Sequence, residues 1–390
     1  MKSIFFPPAT SRRLVKTCVI VLTVLATSFV LAFTPQVSAT GRALGFVAQV
    51  LPTVPIKPAE WFSDTPERIE ITYPLGDGRV GVADLYVPAG GGERSAVLFF
   101  LGVNPAGKDD ERVVNVGNAI ARTGIVVMIP WSELMAQRRV SGQEINDLVY
   151  GFEYLRTLSM VDGEKVGMAG FCVGSSLLLV AAQDERIRDD VTVVNSFAGY
   201  YDAKDLIASV VTHRRFYDGD SRQWQPDQLS TAVVRTHLLE SVSDVAERQQ
   251  IAQAIEDGSA LPSGLSLEEL SSEGRLVYDI LHAPNIDEAR RLIELLPPQS
   301  LDTLNNISPS TNINDLRARI LVMHDRQDPL VPSEESRRLV DALQRRGDVY
   351  HTEFSFFDHL NPSSRVGYFE LVREGSKLFG HIYQVMRELD

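Results

Sequence analysis

Two cysteines in 390 residues leave no material for a disulfide scaffold or a cysteine-rich metal site. One of them, Cys18, sits in an apolar leader, so a cleaved chain would hold a single thiol, Cys172. Basic side chains are also scarce: 38 Lys and Arg against 51 Asp and Glu give a net charge of −13. Nucleic acids are bound by clustered Lys and Arg, and no basic patch or basic–aromatic stretch offsets the acidity, which argues against such a partner. Nucleotide and metal motifs are missing as well. There is no P-loop, no His-Glu-x-x-His and no Cys-x-x-Cys, and Gly167, Gly170 and Gly174 lack the spacing of a dinucleotide fingerprint. No cofactor and no metal are therefore expected. What remains is an ordinary globular composition, 44% hydrophobic and 23% charged, long enough for a large core plus an inserted module.

The first 40 residues stand apart. Lys2, Arg12, Arg13 and Lys16 precede an apolar run from Thr17 to Phe33, followed by Pro35 and Val37-Ser38-Ala39. Positive charge, an apolar segment and small residues at −3 and −1 form a secretory-signal pattern. The run spans 17 residues, long for a signal core and at the lower limit for a transmembrane helix. Residues 1–40 are thus expected to be a signal peptide or a membrane anchor. Either places the body outside the cytoplasm, secreted or anchored to the membrane. Residues 41–66, with an apolar stretch from Ala43 to Ile56 broken by Pro52 and Pro55, are expected to be a packed linker, with an interfacial helix as the alternative.

From residue 67 the pattern becomes strands and turns. Arg68–Tyr73 and Val80–Val87 alternate around Gly76-Asp77-Gly78, an antiparallel hairpin. Ala96–Leu101, Ile125–Pro130, Lys165–Ala169 and Val191–Phe197 are short apolar runs separated by helical stretches. Continuous apolar runs of this length suit strands buried on both faces, and their alternation with helices implies parallel crossovers. The expected architecture is a mostly parallel α/β sheet with helices on both faces. The alternation stops over residues 203–314, where amphipathic helical segments recur without a convincing strand. An insertion of about 110 residues is too long for a structureless loop and reads as an all-helical cap. The core thus covers 67–202 and resumes over 315–390, beginning at Ala318–His324.

Gly170-Phe171-Cys172-Val173-Gly174 lies between a strand and a helix, with glycine two positions either side of the cysteine. A sharp strand-to-helix turn that exposes a nucleophile needs small residues at those places. A thiol nucleophile needs a base, and an imidazole base an orienting carboxylate. Asp328 follows the strand after the cap, and His359 follows the last strand, 31 residues further on. The chain order is nucleophile, acid, histidine. Asp325 is the rival for the acid. Ser175 and Ser176 read as hydrogen-bonding residues of the first helical turn. Trp131, Tyr200 and Tyr201, in loops after strands, are candidates to line an acyl pocket.

These residues, together with Gly102-Val103-Asn104, resemble the α/β-hydrolase superfamily, and dienelactone hydrolases in particular, over about residues 67–202 and 312–390. The resemblance implies hydrolysis of an ester, lactone or thioester through an acyl-enzyme on Cys172. It also implies an oxyanion site built from backbone N–H groups of Val173 and of Leu101 or Gly102. Two features depart from the family. Phe99-Phe100-Leu101-Gly102 lacks the Glu that cysteine members carry there, and the cap is absent from compact members. A small-molecule acyl substrate is the expected partner. The helix after Cys172 and a nearby His359 are expected to lower the thiol pKa. Two other functions share these features: a membrane-tethered binding protein on a hydrolase fold, and an acyltransferase.

Overall fold

The computed structural model describes residues 35–51, 57–256, 269–355, 357–358, 361–362 and 368–390. Residues 1–34, with the apolar run of the expected leader, lie outside the described residues, whereas 35–40 open the first helix. Among the described residues, no helix is long and apolar enough to cross a membrane.

The chain opens with α1 (Pro35–Val50) and α2 (Ala59–Phe62), then β1 (Glu67–Pro74), β2 (Val80–Val87) and β3 (Arg94–Phe100). Next come α3 (Glu111–Ala121), β4 (Val126–Trp131), α4 (Glu133–Ala136), α5 (Gln143–Thr157), β5 (Val161–Phe171), α6 (Val173–Ala181) and β6 (Val193–Phe197). The insertion holds α7 (Ala203–Thr212), β7 (Arg214–Tyr217), β8 (Asp220–Gln223), α8 (Gln228–Leu239), α9 (Val245–Glu256), α10 (Ser272–Leu281), α11 (Ile286–Ile293) and α12 (Pro298–Asn306). The core resumes with β9 (Arg319–Asp325), α13 (Glu334–Leu343), β10 (Val349–Phe354), β11 (Phe357–Asp358), β12 (Asn361–Pro362) and α14 (Tyr368–Glu388).

The main sheet runs β1-β2-β4-β3-β5-β6-β9-β10. Its first strands pair antiparallel through β2, and every pairing from β4 to β10 is parallel. This mostly parallel sheet is consistent with the α/β-hydrolase fold that the sequence resembles. The apolar strands behave as two-sided elements. Val126 and Met128 of β4 join one buried cluster with α5 and α6, whereas Val127 and Ile129 join the other, with α3 and α14. The same alternation splits Ile320 and Val322 from Leu321 and Met323 on β9. Because side chains alternate along a strand, an unbroken apolar run is what a sheet covered on both faces requires.

Two expectations are corrected. The segment after the leader is not a linker throughout: α1 buries Ala39 and Ala43 in the same cluster as Ile120 of α3 and Leu378 and Ile382 of α14. The Lys57 ammonium closes the helix, donating to the carbonyls of Ala48 at 2.9 Å, Gln49 at 3.1 Å and Leu51 at 2.9 Å. A cation on the last carbonyls of a helix satisfies its unpaired acceptors and complements its dipole. Nor is the cap all-helical. β7 and β8 form a hairpin turned at Asp218 and Gly219, both with positive φ (49° and 76°). That is the backbone an Asp-Gly two-residue turn favours.

Candidate active site

β5 ends at Phe171 and α6 begins at Val173, which leaves Cys172 alone at the turn with φ 53° and ψ −139°. A non-glycine residue in this region costs on the order of 1–3 kcal/mol, which the surroundings must over-determine. They do so through the backbone. The Cys172 N–H donates to the Phe197 carbonyl at 2.8 Å, and the Cys172 carbonyl accepts from the Ser175 N–H and Oγ, both at 3.0 Å. Glycines give the turn room. A Cβ on Gly170 would lie 2.7 Å from Ser175 Cα, and one on Gly174 would lie 2.4 Å from the Gly102 nitrogen. Gly102 itself has φ +79°, and a Cβ there would meet the Gly174 nitrogen at 2.6 Å. The loop after β3 is thereby pressed against the turn, which brings Leu101 beside Cys172 and Val173 on one cavity wall.

Ser175 and Ser176 are fully buried. Ser175 Oγ also lies 3.0 Å from Ser196 Oγ, and Ser176 Oγ bridges the N–H and carbonyl of Tyr200. Their hydroxyls hold the elbow to β6 and its following loop. Of the three, Cys172 is the one that lines the cavity.

The acid loop follows β9. Asp325 closes the strand and accepts from the Gln327 N–H at 2.8 Å. Asp328 is buried, and its Oδ1 accepts from the N–H groups of Leu330 at 2.7 Å and Val331 at 3.2 Å. Leu330 and Val331 line the same cavity as Cys172, and the Asp328 charge acts on the thiol. His324 sits beside it with Nε2 3.7 Å from Asp328 Oδ2, but its ring bonds Ser336 Oγ and the Val331 carbonyl. His359 lies outside the described residues. The flanking register is described: β10 pairs parallel to β9 with Phe354 opposite Asp325, so both chains leave the same edge of the sheet.

The thiol departs from expectation. Burial pushes it up to about 12, the negative Asp328 adds to the rise, and the Val173 N–H facing the sulfur opposes it. Its cavity is walled mainly by apolar groups, and low polarity disfavours the thiolate more than one N–H at a helix start favours it. The described surroundings thus favour the thiol over the thiolate at Cys172.

The cavity has a volume of about 290 Å³. Trp131, Tyr200 and Tyr201 do not line it. The Trp131 indole donates to Asp84 Oδ2 at 3.0 Å, and the buried Tyr200 hydroxyl donates to the Ile307 carbonyl at 2.9 Å. Tyr201 offers its backbone N–H to Glu335 Oε2 at 3.0 Å. The walls come instead from α7 and α8 of the cap, from α3, and from Val50 at the end of α1. Their i,i+3 and i,i+4 apolar spacings are visible in the sequence, but spacing does not say which face meets a cavity.

No family model matches the chain, and no curated protein matches it in sequence. Among solved structures it is similar to the Pyrococcus horikoshii acylaminoacyl peptidase, at 14% identity and a TM-score of 0.47, over 83% of this chain and 41% of that one. It is also similar to an esterase from Pyrobaculum calidifontis, at 15% identity and TM-score 0.45, over 90% of each chain. A third is the Porphyromonas gingivalis dipeptidyl peptidase 4, at 11% identity and TM-score 0.46, over 81% and 36%. The chain spans less than half the length of the two peptidases.

Proposed function

We propose that this protein is an acyl hydrolase that cleaves carboxylic ester, lactone or thioester bonds through an acyl-enzyme on Cys172. One observation carries the reading: a lone thiol at a strained strand-to-helix turn opens onto an apolar cavity, with an N–H facing its sulfur and a buried carboxylate close by. Asp328 is the orienting acid and His359 the base. Because the described surroundings favour the thiol, its proton passes to His359 as sulfur attacks the carbonyl carbon. A C–S bond forms, and the oxyanion takes hydrogen bonds from Val173 and from Leu101 or Gly102, donors that count most where charge develops. Collapse breaks the bond to the leaving group, which takes the proton from His359. Water, deprotonated by the same imidazole, then splits the thioester and returns the proton to sulfur. Turnover of p-nitrophenyl acetate with an initial burst, and an acyl mass adduct on Cys172, is the expected result. If Cys172→Ala turns over at the wild-type rate, the reading fails.

The N-terminal segment is proposed to remain as a membrane anchor. Cleavage after Ala39 would cut α1 at a fully buried residue of its packed face. Trp61 and Phe62 on α2 are 70% and 87% exposed, and Leu44 on α1 is 57% exposed, an apolar set suited to a lipid–water interface. Carbonate extraction should leave the full chain in the membrane fraction. A soluble product beginning at Thr40 would overturn this.

A further inference from the structure

We infer that the Cys172 cavity selects unbranched aliphatic acyl chains of roughly eight to ten carbons, an inference that rests on the acyl-hydrolase reading and specifies its substrate. The walls decide the class. Leu206 and Val210 stand one turn apart on α7, Val233 and Val234 project from α8, and Val113 and Val116 from α3. β-Branched side chains are stiff at χ1, so a valine wall keeps its width.

Four of the polar residues on the wall are engaged with the protein itself, and Asn115 adds only a neutral amide. Asp110 caps α3 and pairs with Arg112, the Asn104 amide donates to the Gly107 carbonyl at 3.1 Å, and Ser230 Oγ donates to the Leu330 carbonyl at 2.7 Å. The charges on this wall are therefore paired with each other, and neither the amino end of a peptide nor a second carboxylate of a substrate finds an opposite charge of its own.

Size sets the length. A cavity of about 150 Å³ accepts benzene, and this one, at about 290 Å³, is close to twice that. The carbonyl carbon meets Sγ at the wall, and the chain fills the remaining space. Each buried methylene adds about fourfold to kcat/KM until the space is full.

The experiment measures kcat/KM of the full chain on p-nitrophenyl esters from acetyl to palmitoyl, together with calorimetry of decanoate and acetate on Cys172→Ala. An optimum at octanoyl to decanoyl is expected, with decanoate binding and acetate not. Val233→Trp should lower the decanoyl-to-acetyl ratio at least tenfold, and Val233→Ala should move the optimum to a longer chain. Acetyl ester turnover with a flat profile and no decanoate binding overturns the inference and leaves the hydrolase standing. Decanoate binding with no ester turned over does the reverse: it sinks the hydrolase and keeps the cavity assignment.

Discussion

Cys172 combines two costs that the surrounding residues must cover, a positive φ and a desolvated sulfur. The first is met by contacts so close that no methyl group fits. Gly174→Ala should destabilise by at least about 2 kcal/mol, because the new Cβ would meet backbone atoms that cannot give way. Urea unfolding checks this, and wild-type stability would show that the loop after β3 yields. The second cost governs reactivity. With the thiol raised to about 12, alkylation by iodoacetamide should be slow at pH 7 and rise about tenfold per pH unit to pH 10, since only the thiolate reacts. A plateau below pH 8 would instead reveal a preformed thiolate. This direction was not legible in the sequence, which shows a helix start and a histidine but not the aliphatic walls. The same holds for Tyr200: its place after β6 was legible, whereas the aim of its hydroxyl at Ile307 depends on how the cap folds over it.

Elements at the edges of the core transmit to the site. α1 is held by Lys57, and Val50, one of the cavity-lining residues, lies between two of its acceptors. Lys57→Met should cost about 1–2 kcal/mol and lower kcat/KM for decanoyl more than for acetyl esters. Equal losses would mean that α1 does not shape the cavity. Glu335 of α13 secures the other edge, where the chain leaves β6 for the cap. It accepts from the N–H groups of Tyr201 and Asp202 and pairs with Arg338, whose guanidinium stacks on Phe216 of β7. Burial raises its pKa to about 7, against the pull of Arg338. The folded chain then holds a proton that the unfolded chain loses near pH 4.5, so this stabilisation is full below that value and fades as pH rises through 7. Relative to Glu335→Gln, the wild type should lose on the order of 3 kcal/mol between pH 4 and pH 8. A pH-independent difference in denaturation would refute the assignment. The β7–β8 hairpin that Arg338 grips was missed in the sequence: Asp218-Gly219 is a turn signal, but the short polar strands lack the alternation that marks the core strands.

At the scale of the whole chain, the mostly parallel sheet and the turn at Cys172 could be read from sequence, because apolar strands and glycine-flanked turns are local patterns. The packing of α1 across α3 and α14 could not, since an apolar stretch beside a leader looks the same whether it packs on the body or links to it. Removing residues 1–34 should therefore leave the melting temperature unchanged, whereas removing residues 1–56 should lower it markedly by uncovering Ile120, Leu378 and Ile382. Equal melting of the two truncations would show that α1 adds nothing to the fold. The aliphatic enclosure of Cys172 has one more consequence, in redox chemistry. Disulfide exchange and peroxide oxidation both proceed through the thiolate. With the thiol pushed up to about 12, only a trace of thiolate is present at pH 7. Cys172 is therefore expected to oxidise slowly near neutral pH, which would suit the extracytoplasmic location proposed above.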